Sequence, residues 1–247
     1  MRVEDDVLAV LSRARTDGSA LQLTEQLGRD MYLRTNKVIE AAGGKWNRKA
    51  KAHLFEGDAA ERIDQVILTG TVAVPKDEFN FFPSPPAVVA RLLELAGVRP
   101  SMQVLEPSAG TGAIALAIAE IVPPDCFELL EANYRVLAGN PRLGKVCHGD
   151  FLAQPPEPVY DRVVMNPPFA KQADIRHVRH ALRFLKPNGL LVSVMAAGVT
   201  FRDNKLTRDF RELVGDRGGE IEPLPDGAFK GSGTMVRSVT VTIPGEE

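Results

Sequence analysis

The stretch VLEPSAGTGAIALAIA, residues 104–119, predicts the class of fold. Its opening residues form a short apolar strand, and the run from Ala113 is apolar enough to be a buried helix. Between them, Gly110 and Gly112 let the backbone turn sharply and come close to a ligand, because glycine carries no Cβ. A strand, a glycine turn and a helix in this order indicate an α/β protein with a ligand-binding loop.

Strands and helices alternate along the chain on both sides of this loop. A helix is predicted before it, over residues 84–97, and further helices are predicted near 175–185 and 206–214. The strands predicted after the loop are CFELLEA (126–132), KVCHGDFL (145–152), YDRVVMNPP (160–168), LLVSVMAAG (190–198), GEIEPLP (219–225) and RSVTVTIP (237–244). This alternation predicts a doubly wound, mostly parallel sheet, in which ligands bind beyond the carboxyl ends of the strands.

An acid near the end of the strand after the glycine loop indicates a nucleoside cofactor. Glu131 lies 19 residues after Gly112, where a carboxylate can accept hydrogen bonds from ribose hydroxyls. This pattern fits a nicotinamide dehydrogenase as well as an enzyme that uses S-adenosylmethionine. The negative charge of Glu106 would repel a pyrophosphate and attract the ammonium group of a methionine moiety. We therefore favour S-adenosylmethionine.

The fourth strand ends in an unusual way, as VVMNPPF (163–169). Asn166 and Pro167 each precede a proline, so the chain leaves the strand stiff and extended. The Asn166 amide and the Pro167 carbonyl then hold fixed positions as acceptors, and Pro168 lacks the N–H that would compete for them. Two fixed acceptors suit a planar amino group such as that of adenine, and they favour positive charge on its nitrogen as it attacks a methyl group. Phe169 supplies a face on which the base can stack.

These motifs resemble those of the S-adenosylmethionine-dependent amino-methyltransferases, and among them the adenine-N6 DNA methyltransferases. EPSAGTG (106–112) is similar to their cofactor motif, NPPF (166–169) to their catalytic motif, and FFPSP (81–85) to a further cofactor motif. The order of the motifs is similar to the gamma arrangement, and the resemblance covers residues 77–245. It implies a Rossmann-like class I methyltransferase fold, with a seven-stranded, mostly parallel sheet that has one antiparallel strand. It also implies methyl transfer to the N6 amine of an adenine flipped out of DNA.

The resemblance assigns roles to individual residues as well. Phe82 and Pro83 would lie along the methionine part of S-adenosylmethionine. The floor of the cofactor site would be formed by Glu106, Pro107, Ala109, Gly110 and Gly112. Glu131 would bind the ribose hydroxyls, Asp150 would accept from the adenine amine, and Phe151 would lie beside the adenine ring. The methyl acceptor would be bound by the catalytic residues Asn166, Pro167, Pro168 and Phe169.

Two domains are predicted, a small α+β unit over residues 1–75 and the methyltransferase domain over 76–247. Within the unit we predict a helix over 28–42, a hairpin that turns at Asn47 and Arg48, and a helix capped by Asp58.

The small unit contains a basic stretch. Seven basic and two acidic residues between Arg29 and Lys51 give a local charge of +5, and Trp46 lies among them. Such a stretch either contacts phosphates and stacks on bases or is a solvated face. As candidate substrate contacts we take Arg34, Lys37, Arg48 and Lys51, together with Lys230 in a glycine-rich loop near the last strand that could close over substrate.

The overall composition is that of an ordinary folded protein: 247 residues, 44% hydrophobic and 25% charged, with a net charge of −2. No apolar run approaches the length of a membrane span and no basic leader begins the chain, so we expect no membrane partner and a cytoplasmic location. His177 and His180 lie three residues apart but lack further candidate ligands. We therefore expect no metal site and a solvent- or phosphate-facing helix there.

Several substrates remain open. A nucleic acid is the expected partner, with DNA preferred over RNA, although NPPF does not distinguish them and NPPY-type relatives methylate protein glutamine amides. DNA methyltransferases of this arrangement carry a target-recognition domain after the core, so here the small unit, a partner or minimal readout is expected to replace it. A nucleic-acid-binding protein with an inactive methyltransferase scaffold is the alternative from another class, and the intact Asn166-Pro-Pro-Phe169 argues against it.

Overall fold

The computed structural model describes residues 1–72 and 83–246. The predicted domain boundary after residue 75 and the predicted cofactor contact of Phe82 both lie outside these described residues. Within them, no helix has both the length and the apolar character needed to cross a bilayer.

The described residues form nine α-helices, numbered in chain order: α1 Asp5–Arg13, α2 Arg29–Ala41, α3 Ala59–Thr69, α4 Pro86–Ala96, α5 Ala113–Ile118, α6 Glu131–Ala138, α7 Ala173–Ala181, α8 Gly198–Phe201 and α9 Lys205–Asp216. They also form eleven β-strands: β1 Arg15–Asp17, β2 Ala20–Gln22, β3 Lys45–Asn47, β4 Ala52–Leu54, β5 Val104–Glu106, β6 Asp125–Glu128, β7 Val146–His148, β8 Tyr160–Met165, β9 Leu185–Ala196, β10 Glu220–Pro223 and β11 Ser238–Pro244.

Seven strands form one sheet in the order β10-β11-β9-β8-β5-β6-β7. From β9 to β7 the neighbours are parallel, whereas β11 pairs antiparallel with both β9 and β10. The predicted mostly parallel, seven-stranded sheet with one antiparallel strand is therefore confirmed. Because five adjacent strands run the same way, their carboxyl ends meet along one edge of the sheet.

Buried apolar clusters cover both faces of this sheet. Successive side chains of β8 point to opposite faces: Val163 belongs to the cluster that includes α7 and α9, and Val164 to the cluster that includes α4 and α5. Neither valine is exposed to solvent, which explains why this strand is a continuous apolar run. The sheet is thus a rigid platform for the residues that follow its strands.

Residues 1–72 form a smaller unit with a buried cluster of its own. Its helices α1, α2 and α3 accompany a four-stranded antiparallel sheet in the order β1-β2-β4-β3. The predicted helix over 28–42, the β3–β4 hairpin and the cap are confirmed, since the Asp58 side chain accepts from the Glu61 N–H at 2.8 Å. Neither α1 nor the β1–β2 hairpin is predicted from the sequence.

Candidate functional site

A cavity of about 200 Å³ opens where β5, β6, β7 and β8 end. It is lined by Pro107, Ser108, Gly110, Glu128, Leu129, Leu130, Gly149, Asp150, Phe151, Asn166, Pro167, Pro168, Phe169 and His177. A smaller space beside it is lined by Pro83, Ser84, Glu106 and Ala109 among others. The structure therefore brings together the glycine loop, the Asn-Pro-Pro-Phe loop and the predicted residues 150 and 151.

The glycine turn after β5 is folded for close approach to a ligand. Gly110 and Gly112 have φ values of 54° and 87°, in the region that favours glycine. A Cβ on Gly112 would lie 2.7 Å from Leu137 Cδ2, so a larger residue would displace the Leu137 side chain. The Gly110 N–H donates to Glu128 Oε2 at 2.6 Å, which ties the turn to the end of β6.

Glu128 is the acid at the end of β6. Its side chain is buried, and its Oε1 accepts from the Leu130 N–H at 2.7 Å. Leu129 and Leu130 are 64% and 41% exposed and line the cavity. Glu128 thus connects the glycine turn to the loop after β6 by hydrogen bonds, and it lines the cavity between them.

Glu131 is not at the end of the strand, which corrects the predicted position. It begins α6, is exposed, and pairs with Arg135 one turn later and with His148 in β7. It does not line the cavity. The predicted strand extends too far because Leu129 and Leu130 are apolar. In the structure these two partly exposed side chains follow the strand and line the cavity.

A buried carboxyl group lies behind the glycine turn. Glu106 is 1% exposed, and burial raises its pKa well above the usual range. Glu106 Oε2 and the nearby Ser108 Oγ have no hydrogen-bond partner among the described residues. Buried polar atoms without partners are costly unless a ligand satisfies them. They fit the polar end of the methionine moiety that the sequence leads us to expect.

The Asn-Pro-Pro-Phe loop leaves β8 into the cavity. The Asn166 Nδ2 donates to Ser84 Oγ at 3.0 Å, which fixes the plane of the amide. Pro167 and Pro168 line the cavity. Phe169 lines the cavity although it is only 4% exposed, and it also belongs to the apolar cluster that contains Leu68, so its stacking role stays a prediction.

Three further side chains that line the cavity are Asp150, Phe151 and His177. Asp150 is exposed and caps a short turn by accepting from the Leu152 N–H at 2.9 Å, and Phe151 is buried. His177 Nδ1 lies 2.8 Å from the Ala173 carbonyl oxygen. Because a carbonyl only accepts, Nδ1 carries the hydrogen and Nε2 keeps its lone pair. Burial lowers the pKa of His177, which favours this neutral form.

The predicted solvent- or phosphate-facing helix is correct for its exposed arginines, Arg176 and Arg179, but not for its two histidines. His177 lines the cavity, and His180 Nε2 lies 3.1 Å from the Gln154 carbonyl oxygen beside the Phe151 ring. Among residues 1–72 and 83–246 no group of three or more metal-binding side chains is found.

The predicted substrate contacts fall into three groups. Lys37, Arg48 and Lys51 are exposed, and none forms an ion pair within the described part of the chain. Arg34 is held by three carboxylates, those of Glu4, Asp6 and Asp30. These carboxylates would compete with a phosphate for Arg34, and its contact with substrate stays a prediction.

Lys230 is exposed and does not line the cavity. Its loop is anchored by the fully buried Phe229 and by a hydrogen bond of 2.6 Å from Ser232 Oγ to the Pro83 carbonyl. The predicted flexible loop is thus fixed against the segment that adjoins Ser84.

The β3–β4 hairpin presents an aromatic surface. Trp46 is 52% exposed, and its ring lies edge-on to that of the buried His53, with centroids 5.1 Å apart. His53 Nε2 lies 2.8 Å from Asn36 Oδ1. The hairpin therefore holds an exposed indole between exposed cations.

Three residues of the site, Glu128, His177 and Ser84, are not predicted from the sequence. Glu128 follows Cys126 by two residues, and both are buried, as the alternation of a strand requires. His177 shares the buried face of α7 with Asp174 and Val178 at helical spacing. Ser84 lies within the FFPSP motif. Periodicity within an element would have found the first two.

The family is shown by sequence comparison. A profile of the family described as Methyltransferase small domain matches residues 88–215, which is more than half of the chain. The protein-L-isoaspartate O-methyltransferase of Methanopyrus kandleri is 31% identical over 200 residues, a match that covers 76% of this chain and 79% of that relative.

Two solved structures share the fold. One is a type I restriction-modification system methyltransferase subunit from Streptococcus thermophilus, with a TM-score of 0.60 and 18% identity over 78% of this chain and 51% of that chain. This chain thus spans about half the length of that subunit. The other is a proposed RNA methyltransferase from Pyrococcus horikoshii, with a TM-score of 0.52 and 19% identity over 70% of this chain and 92% of that one.

The matched residues include the glycine loop, the acid at the end of β6 and the loop after β8, which the structure gathers around one cavity. The chain belongs to the methyltransferase small domain family, and its methyl donor is S-adenosylmethionine.

Proposed function

We propose that this enzyme methylates the N6 amine of adenine in DNA, with the target base flipped into the cavity at the end of β8. One observation carries the proposal: Asn166, Pro167 and Pro168 line the same cavity as the glycine turn and Glu128. The electrophile and two fixed acceptors for an amino group would then meet in one place. A base inside a duplex must leave the stack to reach such a site.

The cofactor would lie across the edge of the sheet. Bound S-adenosylmethionine supplies a methyl group made electrophilic by its positive sulfur. Glu106 and Ser108 would satisfy the polar end of its methionine part, next to Pro107 and Ala109. Glu128, and not the predicted Glu131, would bind the ribose hydroxyls. Asp150 would accept from the cofactor adenine amine, with Phe151 near its ring.

The chain's own part in the transfer is to hold the attacking amine. Ser84 engages one N–H of the Asn166 amide and so fixes the direction in which its oxygen can accept. The Pro167 carbonyl supplies the second acceptor. Acceptors aimed at the amine hydrogens stabilise the positive charge that develops on nitrogen. Phe169 lines the same cavity and would supply a face on which the base stacks.

The exposed cations of the small unit would contact the phosphates. Lys37, Arg48 and Lys51 have no competing carboxylate within the described residues, and Trp46 is available for stacking. Lys230 could approach a phosphate only from its anchored loop.

Protein carboxyl methylation is the second candidate, because the Methanopyrus relative is named for a protein substrate. The site favours an amine, since the Asn166 amide and the Pro167 carbonyl offer acceptor oxygens that attract N–H donors and repel a carboxylate. RNA remains the third candidate, with the same amino chemistry.

Transfer of tritium from labelled cofactor distinguishes these substrates. Duplex DNA, single-stranded DNA, bulk RNA and an isoaspartyl peptide are incubated with the enzyme, and the labelled product is digested and identified. We expect label in N6-methyladenine from DNA. Label in RNA or in the peptide instead, or none in any of the four, would contradict the proposal.

The variant Asn166→Ala tests the site. Loss of one preorganised polar group should lower turnover by about 10²–10³-fold and leave cofactor binding unchanged. Asn140→Ala, in the turn before β7 and away from the cavity, controls for the loss of an asparagine. Equal activity of the two variants would remove Asn166 from the reaction.

A further inference from the structure

One carboxylate of the small unit reaches the loop that follows Phe169. Asp64 in α3 accepts from the Lys171 N–H at 2.8 Å through Oδ2 and from Arg202 Nη2 at 2.6 Å through Oδ1. The Arg202 and Asp64 side chains are 7% and 17% exposed, so little water competes for these bonds. Asp64 thus joins α3, the loop after β8 and the residues that follow α8.

The loop it holds has a strained backbone. Lys171 and Gln172 have φ values of 52° and 56°, although neither is glycine. Successive left-handed residues with a Cβ persist only where surrounding contacts fix them. Gln172 Oε1 accepts from Thr207 Oγ1 at 2.7 Å and from Asn204 Nδ2 at 3.0 Å. The Lys171 backbone is fixed in the same manner, by the hydrogen bond from its N–H to Asp64.

Arg202 is itself tightly placed. A Cβ on Gly198 would lie 2.8 Å from Arg202 Nε, so glycine makes room for the guanidinium. The fully buried Asp174 lies nearby, and its oxygens accept from two backbone N–H groups. Phe169, Asp174 and Arg202 line one small cavity. The Asp64–Arg202 pair is thus built into the underside of the Asn-Pro-Pro-Phe loop.

We infer that Asp64 is a positioning residue, through which the small unit fixes the loop that carries Asn166 to Phe169. The role of that loop rests on the proposed function. Without Asp64, Lys171 can relax to an ordinary conformation and displace Phe169, two residues before it. A displaced acceptor loop slows transfer. Cofactor affinity is unaffected, because Glu106, Glu128 and Asp150 lie on other loops.

Two substitutions separate the hydrogen bond from the ion pair. Asp64→Ala removes both contacts, whereas Asp64→Asn keeps a neutral acceptor for the Lys171 N–H and removes the charge that faces Arg202. Glu61→Ala, an exposed acid on the same helix, is the matched control. For each variant we would measure amide hydrogen exchange over residues 166–175, the cofactor Kd by calorimetry, and kcat.

We expect Asp64→Ala to speed exchange at Lys171 and to lower kcat, each by roughly tenfold or more, as loss of a hydrogen bond to a charged group does. The cofactor Kd should stay within about twofold, because none of the contacts within the cofactor loops involves Asp64. Asp64→Asn should be intermediate, since a neutral acceptor is weaker, and Glu61→Ala should match the wild type.

Unchanged exchange in Asp64→Ala, or equal effects of Asp64→Ala and Asp64→Asn on the loop, would overturn the inference. If Asp64→Ala does not fold, Asp64→Asn decides, and wild-type exchange in that variant would overturn it. If the wild type methylates nothing, the proposed function fails, whereas the exchange measurements still decide the role of Asp64.

Discussion

The Glu128 carboxylate links two loops of the cavity before any ligand binds. Each oxygen already accepts one backbone N–H, from Gly110 and from Leu130. A carboxylate offers about four acceptor positions, so each oxygen can also accept from a ribose hydroxyl. Glu131 has no such geometry, because its oxygens are engaged by Arg135 and His148.

We therefore predict that Glu128→Gln weakens binding of S-adenosylhomocysteine, measured by calorimetry, by roughly tenfold or more, the equivalent of one hydrogen bond to a charged acceptor. Glu131→Ala, three residues away, is the control and should bind within about twofold of the wild type, because it loses no contact to the cavity. If only Glu131→Ala lost affinity for S-adenosylhomocysteine, the ribose hydroxyls would be bound by Glu131 in α6 and not by Glu128.

Among the elements, the β3–β4 hairpin contains its own reporter. Trp46 is the only tryptophan of the chain, and it contacts the ring of His53. Burial lowers the pKa of His53 below 6.5, and the nearby Glu40 opposes this only in part. The unfolded chain therefore takes up a proton at a higher pH than the folded hairpin does. Stability is lost as the pH falls below 6.5, and the loss ends below the pKa of the folded state.

Because protonated imidazole quenches indole, the fluorescence of Trp46 should fall on acidification, with a midpoint below pH 6.5. Thermal melts followed by the same signal should show a lower Tm across this window. His53→Gln should remove both effects. A midpoint above 6.5, or the same titration in His53→Gln, would show that another group is responsible.

Elements of ten residues or more with clear periodicity, such as α2, are predictable from the sequence. The three-residue strands β1 and β2 are too short for any alternation to be recognised, and they form because β2 pairs with β4, about thirty residues later. Strand ends are the weakest point, as β6 shows. Its last buried residue is followed by two leucines whose apolar character serves the cavity and not the core.

For the whole molecule, the charges that remain unpaired determine where a polyanion can bind. If Lys37, Arg48 and Lys51 contact duplex phosphates, replacing all three with glutamine should flatten the salt dependence of DNA affinity by about 0.9 per lost contact in a plot of log K against log salt. Filter binding or fluorescence anisotropy would measure the slope. Arg34→Gln is the control, because its charge faces three carboxylates. Equal flattening by Arg34→Gln, or an unchanged slope in the triple variant, would place the binding surface elsewhere.

The sheet, the glycine turn and the Asn-Pro-Pro-Phe loop are predictable because each is encoded within a short segment. Contacts between distant segments are not: Arg34 meets Glu4 and Asp6 about thirty residues away, and Asp64 meets Arg202 across the two units. Residues that meet in this way are far apart in the sequence, so no local sequence pattern relates one to the other. The sequence therefore shows which loops form the site, but not which side chains hold them in place.

The strand β11 lies inside the sheet, between β9 and β10, although it is the last of the seven to be synthesised. While a ribosome is still adding residues 238–244, the long strand β9 has one unpaired edge of backbone groups, which is the kind of edge that recruits other strands. Residues 1–72, which contain the buried cluster of the small unit, have been synthesised long before. In the cell, the nascent chain will thus pass through an interval with an open sheet edge, and this interval is when the protein most needs a chaperone.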